Sequence, residues 1–208
     1  MGRDSNSNAR REGRPSSGGP SLPARPKPAR GEIAAAHGRS IPDVLAPGLT
    51  VLFCGINPSL YSGATGHHFA RPGNRFWRTL HLAGFTDRLL SPFEDGELRS
   101  FGLGVTNLVN RATATAAELQ PPELRAGALR LRAKVLAARP RILAVVGVSA
   151  YRTAFDRPAA VVGRQGERIG TTEIWALPNP SGLNAHYQID DLAAVYGELR
   201  MALRGRTV

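Results

Sequence analysis

The architecture this sequence predicts is an open α/β fold, a three-layer α/β/α sandwich around a central, mostly parallel sheet of four to five strands. Three observations predict it. Short, largely apolar runs at 50–54, 102–108, 142–147 and 173–177 have the length and continuity of strands buried on both faces. Segments with helical spacing separate them, so strand and helix alternate along the chain. Three of the four runs end on polar residues, at the carboxyl edge where open α/β sheets bind their ligands.

Taken in order, residues 1–30 are rich in Gly, Pro, Ser, Asn and Arg and nearly devoid of large apolar side chains. Such a segment cannot bury enough surface to offset its ordering entropy. The expected division is a disordered basic tail over 1–40 and a single domain over 41–208. The first strand, 50–54, runs into a long loop, and a helix follows from about 74 to 83, where Gly84 is a plausible stop. A helical segment fits 94–100, before the second strand. A longer helix fits 122–138, with Pro121 and Pro122 at its start and Leu124, Ala128, Leu131, Val135 and Leu136 on one face. The third strand, 142–147, leads to Ser149, an N-cap candidate for a short helix. The Gly- and Arg-rich stretch 157–172 has room for a short hairpin. The fourth strand stops at Pro178, and an amphipathic helix covers about 188–203.

Composition narrows the partners. The formal charge is +11, and residues 1–40 supply +5 of it through eight Lys or Arg against three acids. The remainder is therefore basic too, which favours a polyanion such as nucleic acid. Lys27 and Lys134 are the only lysines, so this balance also fits an Arg- and Ala-rich compositional habit. The single cysteine, Cys54, excludes an internal disulfide and a thiolate cluster, and within an apolar strand it reads as a small core residue. No apolar run is long enough to cross a bilayer, and no secretory signal stands at the N-terminus. A soluble, cytoplasmic, monomeric protein is the expectation.

The chemistry gathers at the strand ends. The first strand passes through Gly55 and Ile56 to Asn57 and Pro58. Proline stops the strand and biases Asn57 to an extended backbone, which gives its amide a defined direction. The second strand ends at Asn107. The fourth ends in Asn179, Pro180, Ser181, Gly182, Leu183 and Asn184. In a parallel sheet these ends share one edge, so Asn57 and the 179–184 loop are expected to flank one cleft, with Gly182 allowing close approach to a ligand. Leu183 at a loop tip is either a small buried anchor or, on a DNA-binding protein, a wedge entering the base stack.

The segments GINPS, GHHFARPGNRFW and NPSGLN, in this order and separation, resemble the mismatch-specific uracil-DNA glycosylases, the bacterial branch related to thymine-DNA glycosylases. The resemblance covers roughly residues 41–204. It implies a monofunctional enzyme of base excision repair that flips uracil, preferentially opposite guanine, out of duplex DNA and hydrolyses its N-glycosidic bond. It also implies residue roles. Asn57 positions the attacking water, Phe69 stacks on the flipped base, and backbone groups of Gly55 and Ile56 read the uracil edge. Ser62 lies beside the edge where thymine carries its methyl. Leu183 fills the gap left by the extruded nucleotide, with Gly182 and its neighbours facing the widowed guanine and Asn179 bracing the loop. More distant branches of the superfamily place an Asn at the position of Asn107 to read uracil. The family often carries a basic residue two positions after the leucine; here that position is Ala185. Arg71, Arg75 and the arginines of 157–168 are candidates for phosphate contacts.

His67, His68 and His186 lack the i, i+4 spacing of a zinc pair, so no metal and no cofactor are expected. Asp87 and Asp190, the carboxylates nearest the motifs, have no evident place beside Asn57. A phosphate-binding α/β protein is a poorer reading, since the strand-one loop has neither the P-loop ending nor the dinucleotide glycine pattern. A non-catalytic lesion-binding protein on the same fold remains the alternative.

Overall fold

The computed structural model describes residues 27–182 and 184–205. A five-stranded sheet lies at its centre, in the order β2-β1-β3-β5-β4. The strands are β1 (Val51–Gly55), β2 (Leu103–Asn107), β3 (Ile142–Val146), β4 (Gly163–Ile169) and β5 (Thr172–Leu177). β1, β2, β3 and β5 run parallel and every one of their residues is buried, which is why they read as largely apolar runs. β4 pairs antiparallel with β5 at the edge.

The strand period of two divides the core between two faces. Phe53, Ala144, Val146, Trp175 and Leu177 point to one side, where they meet α3 (Phe76–Leu82), α6 (Ile189–Arg204) and a 3-10 helix, Pro92–Phe101. Phe53 is the hub there. Its ring packs edge-on against Phe76 and Phe85 at 5.6 and 5.5 Å, and burying a side chain of that size contributes about 1.5–3 kcal/mol. Leu52, Cys54, Leu143, Val145, Ile174 and Ala176 point to the other side, against α4 (Pro121–Ala138) and α5 (Val148–Ala154). On α4 the buried stripe is Leu124, Ala128, Leu131 and Val135, as the spacing predicts, whereas Leu136 is exposed.

From β1 the chain crosses to β2 on one side and then returns past β1 to β3 on the other. The β1/β3 boundary is therefore a topological switch point, with its crevice at the carboxyl ends. Gly147 follows β3 at φ +133°, and a side chain there would approach Ile56 Cδ1 to 3.1 Å.

Several elements differ from the sequence expectation. The folded part begins earlier than residue 41, because α1 (Arg30–Ala34) packs on α2 (Leu60–Thr65). Ala36 is fully buried, and the Gly38 amide donates to Ala112 O at 2.9 Å. Small residues and backbone bonds carry that contact, so hydropathy does not reveal it. Residues 1–26 of the expected tail lie outside the described residues. α2 occupies part of the expected long loop; Ser59 caps it and Gly66 ends it at φ +78°. α3 begins at Phe76 rather than 74, the Asn74 side chain accepting from the Phe76 amide. α5 begins directly after Gly147, so Ser149 lies inside the helix and is not its cap. The hairpin expected within 157–172 is built from β4 and β5 themselves, turning at Gly170 and Thr171.

Candidate functional site

The carboxyl ends of β1, β2, β3 and β5 converge on a cleft of about 360 Å³. Of the residues singled out in the sequence, Ile56, Asn57, Ser62, Phe69, Arg71, Asn107, Asn179, Ser181 and Asn184 border it. Gly55 lies just beneath. A Cβ there would sit 2.6 Å from Asn107 Oδ1 and 3.2 Å from Phe69 Cζ, so the absence of a side chain lets both groups close over the strand end. Position 183 lies outside the described residues.

Asn57 is held by one end only. Its Nδ2 donates to Thr113 Oγ1 at 2.7 Å, to Arg111 O at 3.1 Å and to Pro58 O at 3.2 Å. Two of these partners are carbonyls, which can only accept, so the nitrogen must face them. Thr113 spends its own proton on Thr115 O at 2.8 Å, which leaves its oxygen to accept from Asn57. The Thr113 and Leu60 amides donate to Pro58 O and Thr113 O respectively, stitching the 111–115 segment to the strand-one turn. Fixing the nitrogen fixes the oxygen. Among the described residues nothing donates to Asn57 Oδ1, so the acceptor end of the amide is what the cleft receives.

Phe69 supplies a wall. Its ring stacks on Phe76 with centroids 3.9 Å apart and planes 20° from parallel, leaving the opposite side of the ring for the cleft. Its backbone has φ +51°, a left-handed conformation costly for a bulky residue. The neighbouring residues hold it there. The carboxylate of Asp95 takes the His68 amide and His67 Nδ1, both at 3.1 Å, and Trp77 Nε1 donates to His68 O at 3.2 Å. Ser62, itself buried, accepts from the Ala70 amide and from Ser59 Oγ, so its hydroxyl ties α2 to the same loop.

His68 sits behind Asn107, almost fully buried. Nε2 donates to Pro42 O at 2.9 Å, which makes Nδ1 the acceptor, and Asn107 Nδ2 approaches it at 3.4 Å. Burial pulls the imidazole below its ordinary value of 6.5, outweighing the Pro42 hydrogen bond and the nearby carboxylates of Asp95 and Asp43. The ring is therefore a neutral bracket for the amide in front of it. No Asp or Glu borders the cleft among the described residues. Asp43, the acid beside β2, is bound by Lys134 and Thr106, both at 2.6 Å.

The arginines require a correction. Arg75 is not free to meet a phosphate. Its guanidinium donates to Pro180 O, Ser181 O, Asn184 O and Tyr187 O, and its amide donates to Pro180 O as well. In the 157–168 stretch, Arg157 pairs with Glu167, and Arg164 and Arg168 pair with Glu173. Arg71 differs: it is exposed and borders both the main cleft and a neighbouring one of about 200 Å³, shared with Gly73, Asn74, Ser181 and Gly182. Within the second motif Asn179 Oδ1 accepts from the Ser181 amide and Asn184 Nδ2 donates to Asn179 O, a self-bracing turn. Pro180 is buried and Gly182 exposed.

Sequence reasoning missed Thr113, Arg111 and Asp95, and read His68 as a polar loop residue rather than one near the substrate, whereas it is buried behind Asn107. Thr113 lies in the repetitive stretch ATATAA, which no spacing rule distinguishes, and Arg111 acts through its carbonyl, which no side chain announces.

Comparison with known proteins bears on this geometry. A family model described as the uracil DNA glycosylase superfamily matches residues 42–200. The solution NMR structure of a proposed uracil DNA glycosylase from Methanosarcina acetivorans aligns over 78% of this chain and 98% of its own, with a TM-score of 0.50 and 21% sequence identity, a likeness of fold. No helix among the described residues is long and apolar enough to cross a membrane.

Proposed function

The chain belongs to the uracil DNA glycosylase superfamily, and from that premise we propose that it excises uracil from duplex DNA, preferentially opposite guanine, by hydrolysing the N-glycosidic bond without a covalent enzyme intermediate. The observation that carries this reading is the clamp on Asn57. Three acceptors hold its nitrogen, so Oδ1 is presented to the cleft as a fixed acceptor. An amide does not take a proton at neutral pH, but it orients a water by accepting one of its hydrogens. The chemistry must then be led by bond breaking. The C1′–N1 bond cleaves, uracil departs with the electron pair, and the oriented water adds to the oxocarbenium-like sugar and releases its proton to solvent.

The surrounding groups suit the remaining tasks. The ring of Phe69, backed by Phe76, offers a stacking surface for a flipped base, a contact that is indifferent to base identity. Selection falls to Asn107, whose amide carries the donor and acceptor that a uracil edge requires, together with the backbone at Gly55 and Ile56. Ser62 stands where a thymine methyl would come. The second-motif loop around Asn179 and Asn184 enters the duplex and meets the widowed guanine; its described residues are braced by the Ser181 amide donating to Asn179 Oδ1 and Asn184 Nδ2 donating to Asn179 O. Arg71 is the phosphate contact. The only lysine among the folded strands and helices, Lys134, is engaged by Asp43, which supports water rather than an amine as the nucleophile.

Single-turnover cleavage of a duplex with one G·U pair tests the proposal. Asn57→Ala is expected to lower the rate by about 10²-fold or more while leaving duplex binding in place. A second reading draws support from the lack of a bordering carboxylate among the described residues: a protein that binds the lesion and does not cleave. Tight binding to G·U with no cleavage by the wild type would establish it in place of the enzyme. A panel of G·U, A·U and single-stranded uracil measures the preference for guanine, which Ala185 makes weaker than a basic residue there would.

A further inference from the structure

Arg75 is placed so that it shapes the second-motif loop rather than touching DNA. It stands at the start of α3, an end where a helix disfavours positive charge, and no carboxylate pairs with it among the described residues. Its compensation comes from carbonyls. Nε reaches Pro180 O at 3.3 Å, Nη1 reaches Tyr187 O at 2.5 Å, and Nη2 reaches both Ser181 O at 2.5 Å and Asn184 O at 3.0 Å. With the backbone bond from the Arg75 amide to Pro180 O at 3.1 Å, five hydrogen bonds gather a loop that starts more than a hundred residues downstream. The partners fall on both sides of position 183. Gly182 completes the contact, since a Cβ there would lie 2.9 Å from Gly73 O, on the segment leading into α3.

We propose that Arg75 is a positioning residue for base extrusion: its guanidinium preorganises the backbone at Pro180, Ser181, Asn184 and Tyr187 for entry into the duplex, and so couples the first motif to the second. This deepens the function proposed above and rests on it. A guanidinium suits the task because its planar fork serves several carbonyls at once, whereas a lysine has a single nitrogen to offer them. Without the clamp the loop samples other shapes, and apparent affinity falls by the fraction of time it spends in the competent one.

The test compares wild type, Arg75→Met and Arg75→Lys, with thermal unfolding as the check on folding. Single-turnover cleavage is measured on a G·U duplex and on the same uracil strand opposite an abasic residue, where no widowed base has to be held apart. Salt dependence of duplex binding is the second readout. Arg75→Met is expected to lose about 10-fold more on the G·U duplex than on the abasic-site duplex. Arg75→Lys is expected to rescue it only in part, and the salt slope of Arg75→Met should match wild type. A slope lowered by about one unit would make Arg75 a phosphate contact and overturn the inference. Equal losses on both substrates, no loss on either, or full rescue by lysine would overturn it too. Wild type inactive on both substrates would instead overturn the glycosylase reading, and amide hydrogen exchange over 180–187 then decides the clamp: unchanged exchange in Arg75→Met refutes it, faster exchange supports it.

Discussion

Thr113→Val tests the orientation of Asn57 with little change to the shape of the cleft. Valine keeps the shape of threonine and removes the oxygen that accepts from Asn57 Nδ2 at 2.7 Å and donates to Thr115 O at 2.8 Å. The remaining acceptors, Arg111 O at 3.1 Å and Pro58 O at 3.2 Å, still forbid the flipped amide, because flipping would set Oδ1 against two carbonyls. The amide therefore keeps its sense and loses part of its stiffness. Each of the two neutral hydrogen bonds lost with the hydroxyl is worth about 0.5–1.5 kcal/mol, so stability should fall by roughly 1–3 kcal/mol. If the share of the Asn57 bond, about 0.5–1.5 kcal/mol, is lost from the transition state, cleavage slows by about 2- to 13-fold, far less than for Asn57→Ala. The assay is single-turnover cleavage of a G·U duplex for both single variants and the double variant, at saturating enzyme. In the Asn57→Ala background Thr113→Val should have no further effect on cleavage, since Asn57 is gone, and should cost only the stability of the bond to Thr115 O. The reasoning is refuted if the folded single variant cleaves at the wild-type rate, or if Thr113→Val slows the Asn57→Ala enzyme by the same factor as it slows wild type.

Two further expectations follow from the walls of the cleft. In Gly55→Ala the new methyl would meet Asn107 Oδ1 at 2.6 Å and Phe69 Cζ at 3.2 Å, an overpacking cost of about 1–3 kcal/mol, with cleavage falling beyond what denaturation accounts for. Gly104→Ala, as crowded but away from the cleft, is the control that should lose stability alone; denaturant titration and cleavage measured side by side separate the two. For His68 the sign follows from its lowered pKa: the native ring is neutral where the unfolded one is protonated, so stability is intact above about pH 6.5 and declines as pH falls below it. The carboxylates of Glu94, Glu118 and Glu123 are held below the ordinary 4.5, so their loss of stability comes at lower pH. Denaturation from pH 7.5 to 5 should therefore show a slope of at most about 1.4 kcal/mol per pH unit that His68→Gln removes, and a slope unchanged in that variant refutes the assignment.

The legible and the illegible parts of this chain divide along a physical line. β1, β3 and β5 could be read because strands covered on both faces are largely apolar, and α4 because its stripe repeats at helical spacing. β4 has the sequence GRQGERI and gains its place from pairing to β5 and from Ile169 alone, so nothing in its hydropathy marks a strand. α1 and α2 are shorter than two turns and are held by caps and small-residue contacts rather than by an apolar face. At the cleft, Asn57 stood out because an abrupt strand end surrounds it, and Phe69 through the resemblance that GHHFARPGNRFW carries. Arg75 was misplaced for the converse reason. An arginine beside a DNA-binding motif suggests a phosphate, and only the fold reveals that four backbone carbonyls from residues 180–187 already surround it.

The cleft also has an electrostatic character that its parts do not disclose singly. The chain carries a charge of +11, yet apart from Arg71 the side chains lining the cleft are amides, hydroxyls, apolar groups and an imidazole held neutral by burial. A carboxylate next to the water would speed attack on the sugar, but it would also repel the phosphates that flank a flipped nucleotide and the anionic base as it leaves. An amide avoids both penalties and gives up the general base. For a reaction led by departure of the leaving group, that exchange favours binding and bond breaking over activation of water, which makes Asn57→Asp a chemical rather than a steric question. Two carbonyls, Pro58 O and Arg111 O, already face the position of Nδ2, so a carboxylate there would set oxygen against oxygen. The same clamp that orients the amide is what makes the site inhospitable to an acid.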